Sequence, residues 1–282
     1  MIFVAGGTGR LGSIVVRRLV QRGERVRMLT RTPGTAPVNG CEVAVGDVRN
    51  HAAVAAALEG CDTAVWCVHG LLGGRGAGPD QIDRAACIAT VDAAQRAGVR
   101  RFVLVSIKDA APDHTSSLFR AKYAAEQHLR ATGLDWTILR PTCFLELWLD
   151  IVRGRLGTGG PAVVLGPGEN LLNVVSVVDV AAVVDHCLIE PSTIRRVLDV
   201  AGPENVTLVE LARAQGATAI RRVPLGVLRV TRYLAAPFAP AFARQATLGV
   251  MLNTRDLTAT ASPAECLPSR TVHTVLADTP VN

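Results

Sequence analysis

Lysine is nearly absent from this chain. Among 30 basic side chains only Lys108 and Lys122 are lysines; the rest are arginines, and the net charge is +6. The arginines are scattered and aromatic residues make up only 4%. The basic blocks with interleaved aromatics that grip nucleic acid are therefore missing, and no nucleic-acid partner is expected. No apolar run reaches the roughly 18 residues of a membrane span. The most apolar late stretch, 234–243, is broken by Pro237 and Pro240, so no membrane partner is expected either. Met1 leads straight into the strand-like Ile2-Phe3-Val4-Ala5 with no basic leader or cleavage site, and the expected location is cytoplasmic. The seven cysteines show no paired metal spacing, and they read as reduced, mostly buried thiols. His-Glu-x-x-His and acidic clusters are missing too, so no metal is expected. The Gly-x-Ser-x-Gly of esterases is missing as well.

What is present is a large apolar fraction, 49% over 282 residues, enough for a sizeable core. Short apolar runs at 2–5, 25–30, 42–45, 63–68, 102–107 and 136–139 alternate with helical patterns at 11–22, 52–58, 81–97 and 114–132. Leu11, Val15 and Leu19 repeat at helical spacing, and Gly98 and Gly133 are placed to end two of the helices. Strands apolar on both faces, alternating with helices, imply a parallel sheet covered on both sides. Beyond residue 150 the pattern loosens around Gly154, Gly157, Gly159, Gly160 and Pro161. A helix at 180–189 and a strand at 197–200 follow, and helices dominate from Gly202 onward.

The first run ends in Gly6-Gly7-Thr8-Gly9-Arg10-Leu11-Gly12 and opens the first helix. A glycine triplet between strand and helix fits a pyrophosphate loop. Gly6 permits the turn, Gly9 lets backbone approach the phosphates, and Gly12 lets helix pack on strand. The helix N-terminus supplies N–H donors and positive potential. The alternative is an ordinary structural turn. Where sites preferring NAD usually place an acid, at the end of the second strand, this chain has Thr30-Arg31-Thr32. An arginine there suits a 2′-phosphate, so NADP(H) is the expected cofactor, with Arg10 assisting. Asp47 and Val48, after the third strand, are placed to cover an adenine; Asp47 can instead cap the next helix.

The fold class expected is thus α/β, a Rossmann-type doubly wound parallel sheet with a smaller, mainly helical C-terminal substrate-binding region. Residues 1–150 form the dinucleotide-binding core, with 177–200 returning to it. Residues 151–176 and 201–282 form a lid.

Four segments resemble the atypical short-chain dehydrogenase/reductases, in particular the NmrA-like group. They are the Gly-Gly-Thr-Gly loop at 6–9, the passage from Ala97 to Ser106, the stretch from Lys122-Tyr123-Ala124-Ala125-Glu126 to Arg140-Pro141, and Val175 to Ala181. They span residues 1 to about 200. The resemblance implies an NADPH:quinone or isoflavone-reductase-like enzyme, or a regulator that senses NADP(H). It gives Lys122 a ribose-binding or acid role. It also sets Pro141, Thr142, Cys143 and Phe144 beside the nicotinamide, with Pro141 and Cys143 against the cofactor and Thr142 and Phe144 against substrate.

One departure stands out. The superfamily's usual proton donor is the Tyr of Tyr-x-x-x-Lys, one helical turn before the lysine. Here the residue four before Lys122 is Leu118, and four before Lys108 is Leu104. Tyr123 adjoins Lys122 but sits about 100° away around a helix. The catalytic candidates left are Lys122, Ser106 at the end of the fifth strand, and His114 eight residues before Lys122. Each also has a bland reading, as a solvated lysine, a strand-end serine or a surface histidine. Val68 and His69 end the fourth strand, where a cofactor crevice opens. Cys143 reads as a small buried hydrophobe rather than a nucleophile.

The expected function is NADPH-dependent hydride transfer to a small, planar or aromatic conjugated substrate such as a quinone, enone or imine. Addition to a quinone needs little help from a strong proton donor, because the oxyanion formed is delocalised. The alternative is an NADP(H)-sensing regulatory protein without turnover. A monomer and a homodimer both remain open.

Overall fold

The computed structural model describes residues 1–34, 39–153, 161–260 and 268–278. The glycines expected to loosen the chain at 154–160, and Cys266, lie outside the described residues. The chain divides into two compact units. One comprises Met1–Arg140 with Val180–Asp199, the other Pro141–Asp179 with Val200–Asn282.

The first unit is built on β1 (Ile2–Ala5), β2 (Val26–Thr30), β3 (Cys41–Val45), β4 (Thr63–Trp66), β5 (Arg101–Val105), β6 (Asp135–Pro141) and β10 (Arg196–Val200). Their order across the sheet is β10-β6-β5-β4-β1-β2-β3. Neighbours from β6 to β3 all pair in parallel. The order reverses between β1 and β4, which is the switch point where doubly wound sheets open a crevice at their carboxyl ends.

Burial explains the winding. Phe3, Ala5, Ala64, Trp66, Phe102, Leu104 and Ile138 are sheet residues in one core cluster, and every residue of β1 is buried. Helix α1 (Arg10–Gln21) buries Leu11, Val15, Val16 and Leu19, the face that the sequence spacing predicts. Burying a leucine such as Leu19 stabilises the fold by about 1.5–3 kcal/mol. Helix α2 (His51–Leu58) is capped by Asn50, whose Oδ1 accepts from the N–H groups of Ala52 and Ala53. Asp47 is therefore not its cap.

The helix expected at 81–97 is two elements. A π-helical segment, Asp80–Ala86, runs directly into α3 (Cys87–Arg96). Gly98 adopts the left-handed conformation (φ +77°) just past α3, as its position predicts. Helix α4 covers Ser117–Arg130 rather than 114–132. His114 precedes it, and Gly133 lies beyond its cap at Ala131 with no positive φ.

The second unit carries more strand than its composition suggests. Helix α5 (Leu145–Arg153) follows the two-residue β7 (Cys143–Phe144), and β8 (Ala162–Leu165) and β9 (Leu172–Val175) come next. From Val180 onward α6 (Val177–Ile189) belongs to the first unit; the second unit continues with β11 (Glu204–Val206), α7 (Leu208–Ala214) and β12 (Ile220–Val223), and finally α8 (Leu225–Leu234), α9 (Pro240–Leu252) and α10 (Val272–Asp278). β11, β9 and β7 make one small sheet, and β12 pairs with β8 in parallel. These strands are too short to stand out by period. They are held by a core of Leu145, Trp148, Leu172, Val174, Leu211 and neighbours. Buried Asn173 ties this sheet together. Its Oδ1 accepts from the Thr142 hydroxyl (2.8 Å) and Gly202 N–H (2.9 Å), while its Nδ2 donates to the carbonyls of Gly202 and Glu204.

Candidate functional site

The β1–α1 loop is shaped for close approach. Gly6 has φ +86°, and a Cβ there would lie 2.9 Å from the Cys67 carbonyl oxygen. A Cβ on Gly12 would fall 2.1 Å from the Gly6 oxygen. Only glycine fits either place. Gly9 N–H donates to Gly6 O at 2.9 Å and closes the turn. No side chain caps α1, and its first turn has no acid. Thr8, Gly9 and Arg10 are exposed, while Leu11 and Gly12 are buried. The N-terminal potential of α1 is thus offered to an anion rather than consumed by a carboxylate.

At the ends of β2 and β3 the charge is positive and organised. Arg31 is exposed, and its charge acts on Asp47. Both oxygens of Asp47 are gripped by Arg49: Nε and the backbone N–H reach Oδ1 at 2.9 Å, and Nη2 reaches Oδ2 at 2.7 Å. This clamp holds the Asp47 carboxyl down at about 2. Arg49 also donates to Gly76 O at 2.7 Å. A shallow concavity beside the clamp is lined by Asp47, Arg49, Asn50, His51 and Ala52. Val48 is half-buried against the core.

Past β4 and β5 a second polar system is closed. Lys122 on α4 is buried, and its ammonium donates to the carbonyls of Val105 (2.9 Å) and Val68 (3.1 Å). It also forms a 3.1 Å ion pair with Asp83 Oδ1, which has no aligned hydrogen-bond donor. Asp83 is fully buried on the π-helical segment, and its other oxygen accepts from Gly70 N–H at 2.7 Å. Lys122 is therefore no solvated helix lysine. Beside it, the Ser106 hydroxyl donates to Glu126, which is fully buried and takes a bidentate grip from Arg140 (Nε 3.0 Å, Nη2 2.5 Å). With its proton committed to Glu126, Ser106 can still accept a hydrogen bond.

The Val68 carbonyl takes a second bond from Trp66 Nε1 (3.1 Å). His69 remains accessible, yet the protein crowded around it lowers its pKa, the Lys122 charge lowers it further, and Asp83 opposes both. Burial pushes the Cys67 and Cys87 thiols up to about 12, so neither is a nucleophile near neutral pH.

Lys122, Ser106 and Val68 are thus brought together, as are Arg31 and Asp47. His114 is not part of either group. It is buried ahead of α4, stacked on Phe119 at 4.0 Å, and its Nδ1 accepts from Ser116 N–H. Pro141, Thr142, Cys143 and Phe144 belong to the second unit. There Thr142 is occupied by Asn173, and Cys143 and Phe144 are half-buried.

Asp83, Arg49, Glu126 and Arg140 have no assigned role in the sequence reading. Glu126 had a signal: it lies one helical turn from Lys122, on the same face. Asp83 had none, because its π-helical setting breaks the 3.6-residue register that would relate it to its neighbours.

Strand order, switch point and glycine loop together define a dinucleotide-binding protein of the Rossmann class. The chain belongs to the NAD(P)H-binding family, whose model matches residues 6–191. It is 32% identical over 226 residues to an NAD(P)H azoreductase of Xenophilus azovorans, covering 79% of this chain and 75% of that protein. A (4-alkanoyl-5-oxo-2,5-dihydrofuran-3-yl)methyl phosphate reductase of Streptomyces griseus is 33% identical over 247 residues, covering 85% and 82%. Among solved structures, the fold matches the NADPH complex of the quinone oxidoreductase QOR2 of Escherichia coli (TM-score 0.78, 20% identity, 98% and 99% covered). It also matches the NADP(H) complex of a Citrobacter triphenylmethane reductase (TM-score 0.79, 20% identity, 99% of both). The chain stands among NAD(P)H-dependent oxidoreductases, within the atypical short-chain dehydrogenase/reductase group that its motifs resemble. No described helix is long and apolar enough to cross a membrane.

Proposed function

We propose that this protein is an NADPH-dependent reductase that passes hydride to a small conjugated acceptor of the quinone, azo, enone or imine type. The observation that carries this reading is the glycine cradle opening on an uncapped, acid-free α1, with Arg31 standing where an acid would select NADH. A cradle that a single Cβ would fill fits a pyrophosphate. The names of its relatives, with azo, dihydrofuranone, quinone and triphenylmethane substrates, share conjugated electron acceptors.

Gly6, Thr8, Gly9, Leu11 and Gly12 form the pyrophosphate cradle; Arg31, with Arg10, takes the 2′-phosphate; Asp47 and Val48 border the adenine. Bound NADPH supplies the hydride. Lys122 fixes the carbonyls at the ends of β4 and β5, so Val68 and Ser106 are held rigidly at the crevice. Ser106 and His69, at the ends of β5 and β4, border the nicotinamide and substrate.

One observation favours the alternative, an NADP(H) sensor without turnover. The ammonium of Lys122 is already engaged by three protein groups, and no Tyr-x-x-x-Lys exists.

The test follows NADPH absorbance with a panel of quinones, azo compounds and enones, with NADH and Lys122→Ala in parallel. Turnover with NADPH well above NADH, lost in Lys122→Ala, is the expected result. Tight NADPH binding with no turnover on any acceptor selects the sensor.

A further inference from the structure

Among the described residues, six of the ten exposed large apolar side chains fall within α8, α9 and the turn between them. Val227, Val230, Tyr233 and Leu234 on α8, Phe238 in the turn and Phe242 on α9 are all exposed, Phe238 at 85% and Leu234 at 69%. Contiguous exposure of this kind marks an interaction surface. Helix α8 is turned inside out relative to an ordinary surface helix. Leu228 alone among its residues is buried, against Ala246 and Val250 of α9. At about 100° per residue, Val227, Val230 and Leu234 fall within about 60° of one another on the outer face.

The charged side chains that this segment itself contributes have one sign, and Arg222 among them pairs with Glu169 at 3.5 Å. From residue 211 to 255 the sequence contains no Asp or Glu, and its seven charged side chains are all arginines. Beyond Tyr233 on the same side of α8 comes the exposed Arg229, about 100° from Val230, and Arg232 lies further round. Arg232 bonds the Tyr233 hydroxyl at 2.8 Å and lies over its ring at 4.6 Å. An apolar stripe with an arginine beyond its tyrosine, an amphipathic Tyr–Arg pair and a phenylalanine at the turn matches the interface of a lipid bilayer. Apolar groups enter the acyl boundary there while guanidinium groups meet anionic headgroups. A second copy of the chain fits less well, because a two-fold contact through this patch sets arginine against arginine.

From this patch we infer that the α8–α9 hairpin docks on anionic membrane surfaces. The contact is peripheral, which narrows the composition-based expectation of no membrane partner to the lack of a spanning helix.

The test is co-sedimentation of the full chain with vesicles of phosphatidylglycerol and phosphatidylcholine, beside vesicles of phosphatidylcholine alone. The protein is expected to pellet with the anionic vesicles, less so at high salt. The double substitution Leu234→Ser/Phe238→Ser is expected to weaken binding about tenfold or more at an unchanged melting temperature. Arg229→Glu/Arg232→Glu is expected to abolish the preference for anionic lipid. Failure to bind anionic vesicles overturns the inference. So does binding that ignores both double substitutions. A lipid-free dimer, seen by sedimentation velocity and broken by Leu234→Ser/Phe238→Ser, also overturns it and gives the patch to a second copy. None of these outcomes depends on whether NADPH is turned over.

Discussion

The glycine loop and the polar face of α4 handle hydrogen bonding in opposite ways. The loop is made of backbone, carries no capping side chain and keeps its charge-bearing end open. The α4 face is made of side chains, and its lysine and glutamate are buried and partnered by Asp83, Ser106, Arg140 and two carbonyls. The open region is ready for an external anion. The closed region spends its charge on holding strand ends in place. Binding and positioning are therefore separable here, and substitutions should split them.

The largest effect is expected in the closed region. Asp83→Ala leaves the buried Lys122 ammonium without its counter-charge, a loss of about 3–5 kcal/mol readable by urea denaturation. The double variant Asp83→Ala/Lys122→Met should recover much of that loss, since a buried pair replaced as a unit costs far less than one broken. Additive losses would show that the two residues are not coupled.

Gly12→Ala should come next and act on the open region. Its methyl meets the Gly6 oxygen at 2.1 Å, so the loop must shift. NADPH affinity, read by fluorescence titration, should fall at least about tenfold, with about 1–3 kcal/mol lost in stability. A cofactor affinity unchanged by Gly12→Ala would remove the cradle from the site. Arg31→Ala is subtler, because it should lower NADPH affinity about tenfold and leave NADH affinity unchanged.

The smallest effect concerns acid stability. The Asp47 carboxyl is held at about 2 against an ordinary 3.8 by Arg49. Its folded value lies below its unfolded one, so its stabilisation is present above about pH 4 and lost as pH falls through about 2. After solvent screening this is about 1 kcal/mol. Asp47→Asn should flatten that part of the stability–pH curve, measured by thermal melting.

The open region is the one a reader of the sequence can find. Gly6, Gly9 and Gly12 are fixed by local backbone needs, and Arg31 is placed by counting to the end of the second strand. The closed region resists such reading. Ser106 and Lys122 are visible as candidates, but their partners Asp83 and Glu126 lie 39 and 4 residues from Lys122, and only the sheet order brings all four to the ends of β4 and β5. The second unit shows the same limit. Its strands β7, β8, β9, β11 and β12 span two to four residues, too short for a period to register against noise. The His114 helix fails for a local reason: Ser116 marks the true start, and His114 bonds its N–H from outside.

By itself, then, the sequence determined the Rossmann class, the glycine turn between strand and helix, the basic residue just past the second strand and the lack of a Tyr-x-x-x-Lys pair. Each is a matter of spacing along the chain or of residue type at one strand end. Tertiary structure alone decided that Lys122 is an ion-paired clamp, that the Ser106 hydroxyl donates its hydrogen bond to Glu126, that Arg49 grips Asp47, and that an apolar stripe faces outward on α8. Burial and pairing depend on which distant segments meet, and that is settled by the packing of the whole sheet and its helices rather than by any local run of residues.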